Sequence, residues 1–539
     1  MKNVEVFSFL SFGYEGRVVK VEADLKSGLP NTEIVGLPGG AVKEARERVR
    51  VAIKNSGFEY PFSRILINLC PASEKKEGSG FDLPIALAVL SVNEELTADK
   101  APPCLVIGEL ELSGRVRKVS GVLAAISCGL KAGIKHFIVP TENKNEALIS
   151  KNCKVFGVDT LNEAFESLKK IATLNDVAIS CKMPFSEKAG ENNSFKVFWS
   201  EPVKSNYSEV KGQEQLLYAL EIAAAGGHNL LAYGPPGCGK SLALKKFGEL
   251  LPDLDFKTSE ELTRIYSIAG LLDSTCEEVL IRRPPFRTPH QSASLEGIIG
   301  GAGKCLPGEI SLAHGGVLFL DEATQFKATV LQSLRAPLET GFVSLSRAEK
   351  RTRYPARFQL LLALNPCDCG NLGSSDKFCT CSPLVVDRYW KKLTAPLLDR
   401  IDLRLFVTPP NSSQLLAESS NSSEKMRSRV KLVYETSKER NQFYYQKQNY
   451  NEQETNFFYF KNALIQAEFV NKICILTREA EKIFTSYFEK NSLSGRGSHA
   501  ILKIARTIAD LEQSEKINSA CLETALSLRK FNPLLPDFL

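Results

Sequence analysis

The order of apolar and polar residues along the chain predicts a mixture of strands and helices. Residues 18–23 and 64–69 are short runs rich in Val, Ile and Leu, flanked by Gly or Pro, which favours strands. Residues 41–56 space their apolar side chains at the period of an α-helix. Residues 1–171 are therefore predicted to form an α+β domain. Residues 172–205 turn polar and lose periodicity, which predicts a linker.

Longer apolar runs predict the central strands of a second, α/β domain at residues 206–409. A short run ending at Tyr233 and the runs at 316–320 and 358–364 are almost wholly apolar, as is typical of strands buried on both faces of a parallel sheet. Charged or polar residues follow directly. Ligands bind outside the carboxyl ends of such strands, so this edge is the predicted functional edge.

A complete phosphate-binding loop follows the first run. Its pattern, G-x-x-x-x-G-K-S, turns backbone N–H groups toward phosphates, Lys240 adds a charge, and Ser241 can hold Mg²⁺. We therefore predict ATP and Mg²⁺ as cofactors; a chance Gly/Pro turn would not pair with the acids described next. The predicted nucleotide-binding residues are Gly234, Pro235, Pro236, Gly237, Cys238, Gly239, Lys240, Ser241 and Asp321.

Two acids, Asp321 and Glu322, end the second run. Taken alone, this motif fits a strand that ends in a solvated acidic turn. Paired with the phosphate-binding loop, it predicts that Asp321 holds Mg²⁺ together with Ser241, and that Glu322 orients and polarises the attacking water.

Composition places the chain among ordinary globular proteins of several domains, with 43% hydrophobic and 24% charged residues over 539 positions. No apolar run is long enough to span a bilayer, and the first residues do not resemble a signal peptide, so we expect a cytoplasmic protein without membrane partners. The net charge of +6 permits nucleic-acid binding without arguing for it.

Four of the fourteen cysteines are clustered, and the other ten are scattered singly as expected of buried thiols. Four thiolates this close together can close a tetrahedral Zn²⁺ site, although C-x-C is tighter than the usual C-x₂-C spacing. Structural zinc and free or redox-linked thiols both remain open, and no metal catalysis is assigned. The clustered residues are Cys367, Cys369, Cys379 and Cys381.

Several segments resemble the magnesium-chelatase-like AAA+ proteins of the YifB/ComM family, namely residues 28–50, 76–90, 282–314 and 395–402. The resemblance covers almost the whole chain. It implies an N-terminal domain with a fold akin to Lon proteases, an AAA+ P-loop NTPase core with insertions facing a central pore, and a C-terminal helical lid at residues 410–539. It also implies a homo-oligomeric ring, expected to be a hexamer.

The same resemblance assigns further residues to the ATP site. Asn365 matches the polar residue that contacts the catalytic water or γ-phosphate, Arg400 the arginine that reaches the neighbouring subunit's γ-phosphate, and Arg496 the lid arginine that contacts its own subunit's γ-phosphate. The residues alone leave simpler alternatives open: an Asn-Pro turn, a salt bridge from Arg400 to Asp399 or Asp402, and an ordinary surface arginine. With Lys240 and Glu322, these three complete the predicted catalytic set.

Alignment with Lon-type proteases argues against peptide cleavage. Gly80 lies where the serine nucleophile belongs and Leu123 where its lysine belongs, although Ser79 is only one position away. Without a serine activated by an amine there is no nucleophilic route to proteolysis. The N-terminal domain is therefore expected to be a platform for assembly or for a partner.

Two insertions are candidates for contact with a substrate. Residues 282–314 are dense in Pro and Gly, and the family's usual histidine pair is replaced by His290-Gln291, which favours hydrogen bonds within the loop over a metal. Residues 343–357 predict a β-hairpin whose cations can grip DNA phosphates or form a solvated charged turn. Those cations are Arg347, Lys350, Arg351 and Arg353.

By resemblance, the expected function is that of a ring-forming ATPase, a DNA helicase or translocase that promotes branch migration in natural transformation and recombination. A chelatase-like or protein-remodelling ATPase without a DNA substrate is the alternative, and an ATP-dependent protease is a weaker one. The residues themselves argue for ATP hydrolysis more strongly than for DNA.

Overall fold

The computed structural model describes residues 5–94, 96, 101–173, 207–273, 279–301, 305–347, 350–374, 377–411, 413–414, 422–446, 461–491 and 494–530. The predicted linker lies outside these ranges from residue 174 onward. Among the helices in these ranges, none combines the length and apolarity needed to cross a bilayer.

In the described residues of the N-terminal part, between 5 and 173, nine strands and five α-helices are formed. The strands are β1 (Val6–Phe12), β2 (Glu15–Lys26), β3 (Asn31–Val35), β4 (Arg64–Cys70), β5 (Cys104–Val106), β6 (Glu109–Leu110), β7 (Val116–Arg117), β8 (His136–Pro140) and β9 (Lys154–Val158). The helices are α1 (Gly40–Asn55), α2 (Asp82–Asn93), α3 (Val122–Lys131), α4 (Lys144–Ala147) and α5 (Leu161–Thr173).

Seven of these strands make one mixed sheet in the order β3-β4-β2-β1-β5-β8-β9. β1, β2 and β4 pair antiparallel, and the remaining pairs are parallel. The strands predicted at 18–23 and 64–69 lie within β2 and β4, and the helix predicted at 41–56 matches α1. That helix buries Val42, Ala45, Val49, Ala52 and Ile53, the stripe that its sequence period predicts.

The middle of the chain forms an α/β unit around a parallel sheet. Its strands are β10 (Leu230–Tyr233), β11 (Phe286–Arg287), β12 (Gly300–Gly301), β13 (Leu306–Pro307), β14 (Val317–Leu320), β15 (Phe342–Arg347), β16 (Lys350–Pro355), β17 (Gln359–Leu364) and β18 (Leu403–Phe406). Its helices are α6 (Glu214–Gly226), α7 (Lys240–Lys245), α8 (Phe256–Ile268), α9 (Leu295–Ile299), α10 (Glu309–Leu312), α11 (Ala328–Ser333), α12 (Arg335–Thr340), α13 (Pro383–Lys391) and α14 (Ala395–Leu398).

Five strands form this sheet in the order β11-β14-β17-β10-β18, and all of them run parallel. Every residue of β10, β14 and β17 is buried, which explains their continuous apolar sequences. The predicted mixed α/β fold with a parallel sheet is confirmed. β10 lies where the strand order reverses, the position at which such sheets bind ligands.

Helices make up the C-terminal part as far as it is described. They are α15 (Ser423–Gln446), α16 (Ala467–Ile473), α17 (Arg478–Asn491), α18 (Gly495–Leu511) and α19 (Ser519–Arg529). The apolar face of α18 packs into one core with α6 and β10. The C-terminal part therefore packs against α6, the helix that precedes β10 and the phosphate-binding loop.

Candidate functional site

The phosphate-binding loop leaves the carboxyl end of β10 and leads into α7. Gly237 and Gly239 have φ angles of +84° and +81°, and a Cβ built on either would meet no atom within 4 Å. These two positions therefore face open space in a conformation that favours glycine, as is typical of phosphate-binding loops. The Lys240 ammonium is buried within the loop and donates to the carbonyl oxygens of Gly234 (2.7 Å) and Pro235 (2.8 Å). Its burial lowers the pKa of Lys240, and the charge of Asp321 opposes that shift.

The hydroxyl and acids predicted for Mg²⁺ and for water activation lie next to this loop. Ser241 Oγ donates to Asp321 Oδ1 at 2.9 Å, so a hydroxyl and a carboxylate oxygen face each other, and these are the hard ligands that Mg²⁺ prefers. Glu322 follows in a left-handed conformation, with φ +50°, and its N–H donates to the same Asp321 oxygen at 3.1 Å. The loop and the end of β14 thus form one polar edge.

The insertion at 282–314 reaches this edge through Gln291. Its Nε2 donates to Glu322 Oε2 at 2.6 Å. His290 Nδ1 lies 2.7 Å from Ser292 Oγ. The His290 contact lies within the loop, as expected for the pair, whereas the Gln291 contact joins the loop to the end of β14. Gln291 itself was not predicted to touch the acid, because the two residues are 31 positions apart and no local pattern joins them.

If Glu322 polarises the water that attacks ATP, as the sequence predicts, Gln291→Ala should lower the rate of ATP hydrolysis, because the Gln291 amide donates to one oxygen of Glu322 and leaves the other for that water. Removing a hydrogen bond to a charged group should slow kcat roughly tenfold, with little change in KM for ATP. Steady-state ATPase kinetics measure this. Gln291→His, which keeps an N–H donor, should stay near the wild-type rate. A similar decrease in both variants would contradict a hydrogen-bonding role.

Asn365 follows β17 at the same edge, and neighbouring aromatic residues hold its backbone. Tyr389 Oη donates to the Asn365 carbonyl at 2.9 Å, and Trp390 Nε1 donates to the Pro366 carbonyl at 3.0 Å. The Trp390 ring meets Tyr233, the last residue of β10, edge to face at 5.4 Å. These contacts tie the end of β17 to the strand that carries the phosphate-binding loop.

The four clustered cysteines lie directly after Asn365. Their sulfur atoms all lie within 4.8 Å of one another, and those of Cys367, Cys369 and Cys379 are 3.3–3.6 Å apart. None of the four forms a disulfide bond. Tetrahedral Zn²⁺ with Zn–S bonds of about 2.3 Å requires sulfur atoms about 3.8 Å apart, so the donor set fits a structural zinc ion. Among the described residues, these four cysteines form the only group of three or more potential metal ligands that lie close together.

The loop that carries these cysteines approaches the phosphate-binding loop at Gly370. Gly370 has φ +78°, and a Cβ at this position would lie 3.0 Å from Pro236 Cδ. Glycine therefore permits the close approach of the two backbones. A metal held by the cluster would stabilise the loop that packs against Pro236 of the phosphate-binding loop.

Purified wild-type protein is expected to contain about one zinc ion per chain, and Cys369→Ser should lose most of it, because one of the four thiolates is missing. Elemental analysis by mass spectrometry measures this. Cys128→Ser, a half-buried cysteine of the N-terminal part, is the matched control and should retain the metal. Wild-type protein without zinc after chelator-free purification would favour the alternative of free thiols.

The two predicted arginines lie together, away from the phosphate-binding loop of their own chain. Glu339, on α12, pairs through one carboxylate oxygen with Arg400 and through the other with Arg496, at 3.5 Å. Arg400 lies near the amino end of β10, because Asn229, just before that strand, donates to the Arg400 carbonyl at 2.9 Å. The phosphate-binding loop leaves the opposite end of the same strand.

This arrangement concerns the role predicted for Arg496. Arg496 was assigned by resemblance to its own subunit's nucleotide, whereas the structure places it beside Arg400 on Glu339. Arg400 pairs with neither Asp399 nor Asp402. Asp402 instead contacts His228 at 3.3 Å, and Asp399 contacts Arg529 at 3.7 Å. The hydrogen bond from Arg400, together with its charge, holds the pKa of Glu339 below its usual range.

The C-terminal helices fix the segment that carries Arg400. The Arg529 guanidinium, at the end of α19, donates to the carbonyl oxygens of Asp399, Ile401 and Asp402 at 3.2–3.4 Å. His228 Nε2 lies 2.9 Å from Thr507 Oγ1 on α18. The sequence did not predict the roles of Arg529 and Glu339. A single charged residue has no local pattern from which a partner far along the chain can be identified.

The predicted hairpin is formed by β15 and β16, with Ser346 opposite Arg351 and Ser344 opposite Arg353. Arg351 and Arg353 are exposed, while Thr352 between them is buried. Both arginines therefore lie on one outward face. The side chains of Arg347 and Lys350 lie outside the described part of the structure.

The N-terminal segments aligned with the protease dyad form no dyad. Gly80 and Leu123 have no nucleophile or amine, and Leu123 is buried in a cluster with Ile149, Val279 and Leu280. The adjacent Ser79 hydroxyl donates to the Glu109 carboxylate. A serine bonded to an acid in this way is not activated by an amine.

Comparisons with known proteins agree with these features. Three family descriptions match: "Magnesium chelatase, subunit ChlI" over residues 206–415, "Subunit ChlI of Mg-chelatase" over 21–143, and "Magnesium chelatase, subunit ChlI C-terminal" over 420–529. YifB of Salmonella typhimurium is 36% identical over 97% of this chain and 96% of its own length. Competence protein ComM of Haemophilus influenzae is 35% identical over 98% of both. A shorter similarity, 29% over 136 residues, is to the archaeal Lon protease of Methanothermobacter thermautotrophicus, covering 24% of this chain and 21% of that protein.

Proposed function

Because the chain belongs to the magnesium-chelatase-like family that contains YifB and ComM, we propose that it is a ring-forming AAA+ ATPase that couples ATP hydrolysis to the remodelling of DNA. The main support for ATPase activity is that the phosphate-binding loop and the end of β14 lie together at one edge of the sheet. The residues there are Lys240, Ser241, Asp321 and Glu322. In this proposal the reaction is attack of water on the γ-phosphate of ATP, giving ADP and phosphate.

The residues of this edge have separate tasks in the proposed reaction. The loop N–H groups and Lys240 bind the phosphates, and Ser241 and Asp321 would hold Mg²⁺, which neutralises phosphate charge when bound. Glu322 accepts a hydrogen bond from the attacking water and polarises it, while Gln291 keeps that carboxylate oriented. Asn365 positions the same water from the end of β17.

Arg400 and Arg496 are proposed to complete the site of the neighbouring subunit. Both lie with Glu339 near the amino end of β10, opposite the loop of their own chain. A guanidinium stabilises charge on phosphate oxygens through paired N–H donors. An active site assembled from opposite ends of two subunits requires head-to-tail contacts, which close into a ring; we propose a hexamer.

DNA is the proposed substrate class for two reasons. One relative is named a competence protein, and the hairpin exposes Arg351 and Arg353 on one face. Cations arranged in this way bind phosphates without reading sequence. Branch migration during transformation and recombination is the finer function we propose.

The double variant Arg351→Ala/Arg353→Ala is expected to weaken binding of forked or single-stranded DNA about tenfold or more, because two cations that neutralise phosphates are removed. The slope of log affinity against log salt should also fall, by about 0.7 for each phosphate of a single strand that is no longer neutralised. Fluorescence anisotropy at several salt concentrations measures both. Lys482→Ala/Lys490→Ala, two exposed cations of α17, is the matched control. Wild-type protein that neither binds DNA nor is stimulated by it would favour a remodelling ATPase without DNA.

A further inference from the structure

The tip of the N-terminal hairpin contacts the hairpin that exposes the two arginines. Gly13 and Tyr14 form the two-residue turn between β1 and β2. The Tyr14 N–H donates to Thr352 Oγ1, on β16, at 3.0 Å. The Tyr14 ring meets Tyr354 edge to face at 5.7 Å, and a Cβ on Gly13 would lie 2.4 Å from Thr352 Cγ2. The turn is therefore seated on β16 with no room for a side chain at Gly13.

The same turn also contacts α8. The Arg264 guanidinium lies 4.4 Å from the centre of the Tyr14 ring, and its Nη1 donates to Ser127 Oγ on α3 at 3.3 Å. A second contact lies one turn further along α8, where the Gly121 N–H donates to Ser267 Oγ at 2.9 Å. The N-terminal part thus holds both the hairpin and the helix that precedes the insertion at 282–314.

The β15–β16 hairpin needs packing on one of its faces to be stable. Its inner face buries Val343, Leu345, Thr352 and Tyr354, and its outer face carries the exposed arginines. A two-stranded hairpin is marginally stable in water unless one face is packed. The N-terminal turn supplies part of that packing, from a position 338 residues away in the chain.

We propose that the N-terminal domain braces the DNA-binding hairpin. The Gly13–Tyr14 turn fixes the inner face of β16, so that Arg351 and Arg353 are held in one orientation toward DNA. Tyr14 is a positioning residue in this scheme. The identity of the ligand rests on the function proposed above, whereas the mechanical link between turn and hairpin does not.

Hydrogen exchange of the full-length protein tests the link without DNA. In Tyr14→Ala, amides of β15 and β16 should exchange about tenfold faster or more, because the hairpin loses its support, while amides of β4 keep their protection. Tyr14→Phe keeps the ring and the backbone N–H, so its hairpin should exchange within about twofold of wild type. Phe62→Ala removes an exposed aromatic residue, 92% accessible, and should change nothing.

DNA affinity is measured on the same variants, by anisotropy with a fluorescent single strand. The dissociation constant should rise about fivefold or more in Tyr14→Ala and stay near wild type in Tyr14→Phe and Phe62→Ala, since the two arginines leave their single orientation only in the first. Unchanged hairpin exchange in Tyr14→Ala would overturn the brace. Faster exchange with unchanged affinity would overturn its role in DNA binding.

Two further outcomes separate the proposals. Wild-type protein without DNA affinity would remove the proposed substrate, while hairpin exchange would still decide whether the brace exists. Loss of β4 protection in Tyr14→Ala would mean that the N-terminal part has unfolded. In that case Thr352→Val is the variant to measure, because it removes the hydroxyl that accepts from the Tyr14 N–H and keeps a branched side chain. Faster hydrogen exchange in the hairpin of this variant supports the brace. Unchanged exchange overturns it.

Discussion

Glu322→Gln is expected to stop ATP hydrolysis while ATP still binds. The Glu322 carboxylate lies at the edge shared with the phosphate-binding loop, where Gln291 orients one of its oxygens. An amide of the same shape cannot accept the proton of the attacking water, and loss of a positioned base costs about 10²–10⁴-fold in rate. Phosphate release should therefore fall at least about 100-fold. Binding of a fluorescent ATP analogue should be retained, because Lys240 and the loop are unchanged.

The matched control for this substitution is Glu296→Gln, which makes the same change at an exposed position on α9. It should hydrolyse ATP at the wild-type rate. If Glu322→Gln turned over ATP normally, Glu322 would not be the residue that activates water.

Arg400→Ala is expected to have the second large effect. If its guanidinium stabilises the transition state in the neighbouring subunit, removing it should lower kcat by about 10³-fold, the range of known arginine fingers. Arg400→Lys should not restore the rate, because an ammonium lacks the planar pair of donors. ATP affinity measured at equilibrium should change little in either variant.

Arg388→Ala is the control, since it removes an exposed arginine from α13. It should leave kcat unchanged. An Arg400→Ala enzyme with a wild-type kcat would indicate that the contact with Glu339 is simply structural.

Mixing variants tests the position of Arg496. In the structure it shares Glu339 with Arg400, so it should act on the neighbour's nucleotide. Arg496→Ala subunits, mixed with Lys240→Ala subunits, should then regain ATPase activity, because the second variant supplies the missing arginine. No recovery would mean that Arg496 serves its own subunit, as the family resemblance alone implied.

Much of the fold could be predicted because its information is local. The stripe of α1 and the continuous apolar strands β14 and β17 are periodic or compositional patterns over a few residues, and packing onto one core preserves them. The phosphate-binding loop was equally visible, since its chemistry requires adjacent residues in fixed order.

The contacts that organise the site could not be predicted in this way. Gln291 meets Glu322 across 31 residues, Glu339 meets Arg400 across 61, and Tyr14 meets Thr352 across 338. Each joins single residues whose local sequence is ordinary, and only the packing of whole domains brings them together. The motif that identified Arg496 named the residue but not the direction in which its helix presents it.

The proposed active site between subunits is tested most directly by mixing two variants that should each be inactive, Lys240→Ala and Arg400→Ala. If every site takes its phosphate-binding loop from one subunit and Arg400 from the next, each variant alone lacks one half of every site. In a mixed ring, an Arg400→Ala subunit keeps its loop and can receive Arg400 from a Lys240→Ala neighbour. An equimolar mixture should thus recover about a quarter of wild-type ATPase activity if interfaces form at random and act independently. A mixture as inactive as its components would contradict an active site shared between subunits.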